Sequence, residues 1–494
     1  RAGVLLTQAA AAGEAGAVDE AIAKFEALQT RFANSTSDQV QLMVADGGVR
    51  ASDLYVQTGN IDTALAKAED ARDRSVRTGD VVQKVQAQYQ VANLRSRQAR
   101  ALFDNTEGSA NTAYKQASRE SVQDYLQVAE YAEPIAQAPQ NARVFVGPAL
   151  YQAGVISYAV HGPVDLPIAA EVLPRFVALA DNGHITAEPA EIQTALYYTG
   201  VTKYDLARGS EMDSGLFAES AQHLQVLVNR YPTNEDAGLW QYQVGEAFFA
   251  AQQFAEALPA YIAVADNYPQ HASAAESLYS AAACYGNMEQ TEKVFGIYER
   301  LAADYPESEY AADAFISVGD SRYNDTIELD DEDPAKVEKL KEALAMYRSV
   351  LDLPSATEQS KNTVLGYIKD TEELLAALEY GFIETGFNEA LSAIDGVDVT
   401  AAQKQAVLDA IGEFEALVQA YPESESAQVA LVQVGDGYVQ LEEWKDAVRT
   451  FGILTAMYVD PSGIRITPGN VNLDRALKRA EGQIIAITQD RKSV

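Results

Sequence analysis

Apolar residues recur along most of this chain at helical spacing, in paired stripes separated by short polar breaks. Residues 239–269 show the pattern most cleanly. Trp240, Val244 and Gly245 fall on one helical face, and Phe248 extends it by a turn. A polar turn follows at Gln252-Gln253. Phe254, Ala257, Tyr261 and Val264 then form a second stripe. Pro269 stops that helix, because its ring removes an amide donor and drives the preceding residue out of the helical region. The predicted unit is therefore two amphipathic helices joined by a turn. Tyr231-Pro232, Tyr268-Pro269 and Tyr305-Pro306 stand 37 residues apart, and Tyr421-Pro422 repeats the phrase downstream. A fixed period of this size predicts a stacked helical array, in which each pair buries its apolar side against its neighbours.

The same places are filled elsewhere. One copy has Leu278, Ala282, Tyr285, Val294, Tyr298 and Leu301 before Pro306. Another has Leu431, Val434-Gly435, Tyr438, Trp444, Ala447, Phe451 and Leu454. A third has Phe315, Val318-Gly319, Ala343, Tyr347 and Val350, with about twelve extra residues between its helices. Near the start, Gly16, Val18, Ala21, Phe25 and Leu28 fit, as do Tyr55, Gly59-Asn60, Ile61 and Ala64.

This arrangement of Trp240, Val244-Gly245, Phe248, Ala257, Tyr261 and Pro269 resembles the tetratricopeptide repeat. The resemblance covers both ends and most of residues 200–455, and is weak from about 85 to 200. It implies an all-α, right-handed superhelical solenoid of stacked helix-turn-helix repeats. It also implies that the small residues Gly245, Ala257, Gly435 and Ala447 mark close helix contacts, and that large residues fill the space beside them. Tyr305 to Ser308 and Tyr421 to Ser424 both read Tyr-Pro-Glu-Ser. That phrase is similar to repeat endings in bacterial envelope members of the family, so a periplasmic, cell-envelope or extracellular location is expected.

Four segments are expected: helix pairs over 1–80, divergent helical repeats with a Pro/Gly-rich bend over 81–200, a regular array over 201–455, and an extended segment with a capping helix over 456–494. Within 81–132, long helices are predicted to break near residues 104–108. Pro134, Pro139, Gly147, Pro148, Gly154, Gly162, Pro163 and Pro167 predict short helices with longer connections over 133–190. The array is expected to resume after a loop at Asp395-Gly396. The final helix, about 472–488, is predicted to turn Leu473, Leu477 and Ile484 inward.

Composition narrows the function classes. The 494 residues carry a net charge of −35, which argues against nucleic-acid binding and against docking on an anionic membrane. Residues 301–345 hold thirteen acidic and four basic residues, whereas 67–119 is net basic. No apolar run approaches the length that spans a bilayer. The single cysteine, Cys284, permits no intrachain disulfide and reads as a small packing residue. The chain begins at Arg1 rather than Met, so it is expected to be either processed or truncated.

Catalytic motifs are absent from the sequence. His161, His184, His223 and His271 never stand four apart, and neither a Gly-x-Ser-x-Gly elbow nor a phosphate-binding glycine loop occurs. No enzymatic activity, cofactor or metal is expected. The acidic stretch Asp325, Glu328, Asp330, Asp331, Glu332 and Asp333 is the best cation candidate, against a plainer reading in which Asp333 caps a helix starting at Pro334. The helix face bearing Gln241 and Gly245-Glu246 lacks the basic pair that family members use to grip a terminal carboxylate. The expected role is a protein-interaction scaffold that binds protein partners on its concave surface. The alternative is a structural protein whose copies assemble end to end into a filament or surface assembly.

Overall fold

The structure of the protein, a computed structural model, describes residues 1–103, 111–394 and 399–490. It contains twenty-one α-helices and no strand among those residues. They form two compact units, Arg1–Glu289 and Gln290–Val494.

The first unit holds α1 (Ala2–Glu14), α2 (Val18–Phe32), α3 (Asp38–Gln57), α4 (Ile61–Thr78), α5 (Val81–Ala101), α6 (Thr112–Tyr131), α7 (Gln140–Val160), α8 (Leu166–Asp181), α9 (Pro189–Gly209), α10 (Ser214–Arg230), α11 (Ala237–Ala250), α12 (Phe254–Asn267) and α13 (Ala274–Asn287). The second holds α14 (Thr291–Asp304), α15 (Glu309–Asn324), α16 (Pro334–Leu351), α17 (Glu358–Ser392), α18 (Ala401–Ala420), α19 (Glu425–Gln440), α20 (Trp444–Met457) and α21 (Val471–Asp490). Within each unit, successive helices pack on one another, with further contacts between most neighbouring odd-numbered helices. The core is therefore a line of local clusters. One runs from Val85 through Tyr125, Leu150 and Phe176 to Trp240. Another joins Leu431, Phe451, Leu473 and Leu477.

The Tyr-Pro phrase works as a punctuation mark. Tyr231, Tyr268, Tyr305 and Tyr421 each cap a helix with φ between −130° and −134° and ψ between 51° and 62°. Each still donates its amide to the carbonyl four residues back. The proline next in line forces this departure from the helix. The fourth residue of each phrase then supplies a side-chain acceptor for an amide just ahead. Asn234 accepts from Asp236, His271 from Ser273, Ser308 from Tyr310 and Ser424 from Ala427. Tyrosine ends one helix, and Ser308 and Ser424 cap the next, whereas Asn234 and His271 bond within the turn ahead of the N-cap residues Asp236 and Ser273.

The turns inside the pairs are also alike. Gly16, Gly59, Gln252, Glu289 and Glu442 all adopt a left-handed backbone, with φ from 58° to 80°. Only at Gly16 and Gly59 is this conformation free of side-chain strain.

Three regions depart from the sequence expectations. Residues 133–190 form one short 3-10 turn, Ile135–Gln137, but otherwise long helices: α7 has 21 residues and carries Pro148 inside it, and α8 carries Pro174. The glycines there serve helix contact. A Cβ on Gly154 would lie 2.3 Å from Leu173, and one on Gly147 would lie 2.8 Å from the Thr186 carbonyl oxygen. Second, α17 runs unbroken for 35 residues. It packs on α15 and α16 and also on α18 and α19. Third, the tail before α21 is not simply extended, because Val459 and Arg465 form an antiparallel bridge around a turn at Asp460. In α21, Leu473 and Leu477 are buried and Ile484 packs beside them. The breaks read at residues 104–108 and at Asp395-Gly396 lie outside the described residues.

Candidate protein-binding surfaces

Three repeats share a construction that begins with Val-Gly-acid: Val244-Gly245-Glu246, Val318-Gly319-Asp320 and Val434-Gly435-Asp436. In each, an aromatic ring from the second helix lies against the bare glycine backbone. A Cβ would come within 2.5 Å of Tyr261 at Gly245, 2.5 Å of Tyr347 at Gly319, and 2.3 Å of Phe451 at Gly435. The acid is thereby set beside the ring's edge. Tyr261 donates its hydroxyl to Glu246 Oε1 at 2.6 Å, and Tyr347 donates to Asp320 Oδ1 at 2.8 Å. Burial, followed by these acceptors, pushes both hydroxyl pKa values up, so both stay protonated donors. Phe451 has no hydroxyl. Asp436 instead meets Arg479 of α21 at 2.8 Å. Burial raises the Asp436 pKa, and Arg479 pulls against that rise.

Trp240, Ala257, Tyr298 and Ala447 are buried, while Phe248, Phe254, Tyr285 and Trp444 are half-buried. Phe248 lies against the cluster of Leu224 and Val244, Phe254 meets Phe249 edge-on, and Trp444 lies against the cluster around Phe451. Gln241 is buried and donates to the Ala260 carbonyl, so it ties α11 to α12 instead of facing a ligand.

Two polar pockets open beside these sockets. In the first unit, a pocket of about 340 Å³ is lined by Tyr158, Tyr204, Asp205, Arg208, Gln243 and Glu246, with Val201 and Leu224 at its apolar side. Burial raises the Asp205 pKa, which His161, 3.7 Å away, opposes. The Tyr158 hydroxyl is pushed up to about 12, chiefly by burial. In the second unit, a pocket of about 380 Å³ is lined by Asp320, Tyr323 and Asn324 from α15, Tyr347 from α16, and Tyr367, Asp370 and Thr371 from α17.

The second unit also carries an apolar cleft of about 670 Å³ between α16, α17 and α18. Val337, Leu417 and Tyr421 form buried parts of its wall. Phe382 stands 43% exposed in it, with Ile383 beside it. Glu338, Glu379 and Glu413 line the same cleft, and Lys341 holds Glu379 at 2.8 Å.

Three carboxylates of the acidic stretch have structural partners. Asp333 caps α16 by accepting from the Ala335 amide. Asp331 pairs with Lys336 and Asp325 with Lys339. No group of three or more His, Cys, Asp or Glu side chains that could hold a metal ion occurs among the described residues. Cys284 is buried, and burial together with Glu246 pushes its thiol up to about 12, far from a reactive thiolate. His161 ends α7 in a left-handed conformation. The carbonyl of His184 accepts from Arg143. No helix is long and apolar enough to cross a membrane among the described residues.

The acids of the Val-Gly-acid phrases were legible in the sequence as a thrice-repeated triplet, yet reading for packing alone passes over them. Asp370, Tyr367 and Phe382 carry no such signal. Their neighbours are set by which helices α17 packs against.

The family model described as Tetratricopeptide repeat matches residues 241–271 and 276–308. No curated protein matches the chain. Among solved structures, the P58(IPK) TPR domain is 11% identical, with 91% of this chain and 99% of that one covered at a TM-score of 0.23. A tetratricopeptide repeat protein from Parabacteroides merdae is 14% identical, with 58% and 99% covered at 0.25. The apo form of RapI is 8% identical, with 84% and 98% covered at 0.30. Scores of this size carry nothing about activity or partner. The described residues are all-α, and residues 241–271 and 276–308 match the tetratricopeptide repeat.

Proposed function

We propose that the protein is a non-enzymatic scaffold whose second unit binds a partner through the cleft between α16, α17 and α18. The observation that carries this reading is Phe382, a large aromatic left 43% exposed inside a concave apolar surface. An apolar cleft of this volume is the default place for a binding site, and Phe382 offers it an aromatic contact. The cleft suits an amphipathic helix laid along it. With Glu379 already paired to Lys341, Glu338 and Glu413 and the net charge of −35 favour a helix with basic flanks. The same charge disfavours nucleic acid as partner.

A designed amphipathic helix with leucine on one face and lysine on the other is the probe. Its fluorescence anisotropy should rise on titration with the full chain. Phe382→Asp should weaken binding by about tenfold or more, as loss of a central aromatic contact does. Equal binding by the variant rejects the cleft as the docking surface.

Copies of the chain are the alternative partner. Val4 on α1 and Ile485 on α21 are 59% and 54% exposed, leaving apolar side chains at the surface of the first and last described helices. Contacts of this kind that do not close would build a filament or surface assembly. Light scattering that reports only monomers across salt concentrations rejects this alternative. We place the scaffold in a bacterial envelope or outside the cell. The two Tyr-Pro-Glu-Ser endings support that placement, which fractionation of the native source tests.

A further inference from the structure

We propose that the pocket between α15, α16 and α17 receives an arginine side chain of the scaffold's protein partner. The proposal rests on the scaffold reading and adds the chemistry of a second contact. The pocket sets the carboxylates of Asp320 and Asp370 among three tyrosine rings, Tyr323, Tyr347 and Tyr367. Tyr347 and Tyr367 lie 5.3 Å apart at 52°, forming an angled wall. No lysine or arginine is among its lining residues. Asp320 accepts one hydrogen bond, from Tyr347, and a carboxylate has capacity for more. The buried Thr371 hydroxyl is already donated to the Tyr367 carbonyl.

Carboxylates accept from the edge of a guanidinium, and tyrosine faces stack on its plane. The chain itself shows the fit at the equivalent place. Asp320 and Asp436 both follow Val-Gly, and both face the helix after next: α17 beside α15, and α21 beside α19. At Asp436, α21 supplies Arg479 at 2.8 Å. Near Glu246, Arg208 lines the pocket. At Asp320, α17 supplies Asp370 and Tyr367 instead, which adds negative charge and an aromatic face where the other sites bring a cation.

The test uses the full chain labelled with 3-fluorotyrosine and observed by fluorine NMR. The probe is a capped Gly-Gly-Arg-Gly-Gly peptide, with a citrulline twin of the same shape and no charge. The Arg peptide should shift the Tyr367 signal saturably. The citrulline twin should leave it unmoved, and a lysine twin should bind several-fold more weakly. Asp370→Asn changes an exposed side chain and should keep the thermal midpoint while weakening the Arg peptide at least tenfold. Asp320→Asn also disturbs packing, so it is secondary. Equal binding of the citrulline or lysine twin, or unchanged affinity in Asp370→Asn, overturns the proposal. Phe382→Asp should leave this shift unchanged. Loss of the Tyr367 response with helix binding intact therefore rejects the arginine pocket alone, and the reverse outcome rejects the apolar cleft alone.

Discussion

Around Gly319 and around Gly435 the chain writes the same three residues, Val-Gly-Asp, and builds two different surfaces from them. In both, the glycine admits a ring from the second helix to its backbone. Around Gly319 the ring is Tyr347, whose hydroxyl holds Asp320, and the neighbouring α17 adds a carboxylate and another ring. Around Gly435 the ring is Phe451, and Asp436 is taken by Arg479. The glycine fixes how two helices approach. The next helix in the stack decides what chemistry faces outward. Packing and recognition are therefore written at adjacent positions but can vary separately.

The largest test breaks both sockets. Gly319→Val and Gly435→Val should each destabilise by about 3 kcal/mol, because an added side chain displaces a ring already inside contact distance. Gly412 is helical, and a Cβ added there would meet nothing within 4 Å, so the sign reverses: Gly412→Ala should stabilise by about 0.5–1 kcal/mol. Urea unfolding reads both, and equal signs would show that close approach is not what the glycines provide.

A smaller test converts one site toward the other. Tyr347→Phe removes the hydroxyl from Asp320 and should cost about 1.5 kcal/mol, the usual scale for a hydrogen bond to a charged group. The same measurement on Tyr261→Phe should give a similar loss through Glu246.

The smallest effect is expected at the pair that distinguishes Gly435. Arg479 is largely exposed, so Arg479→Ala should cost less than about 1 kcal/mol. Its pH dependence is the sharper readout. Burial holds the Asp436 pKa above 3.8, so folding binds that proton more tightly than the unfolded chain does. The associated stability is present below the ordinary aspartate range and is lost as pH rises through the raised pKa. Removing Arg479 raises that pKa further, so Arg479→Ala should cost more at pH 7 than at pH values approaching 4. A pH-independent cost would mean that the pair does not govern Asp436.

Most of the repeat logic was legible in residues. Tyr-Pro gave the helix ends, because proline acts locally on the residue before it. Val-Gly gave the close contacts, because only glycine leaves room for Tyr261 or Phe451. Left-handed turns at Gln252, Glu289 and Glu442 were less visible, since polar residues stand where glycine marks the same turn at Gly59. The continuous α17 was hidden for a different reason. Gly366, Gly381 and Gly386 sit on the helix with nothing near a Cβ, and no proline enforces a stop. The pockets depend on which helices α17 touches, and spacing within one helix cannot reveal that.

The unbroken α17 has a further consequence for how the second unit comes apart. Stacked repeats ordinarily open one at a time, since each interface is local. A rod of roughly 50 Å, at 1.5 Å per residue, shared by α15 and α16 on one side and α18 and α19 on the other, denies them that independence. Amide exchange across these five helices should follow a single cooperative opening, making this stretch one foldon within an otherwise modular chain.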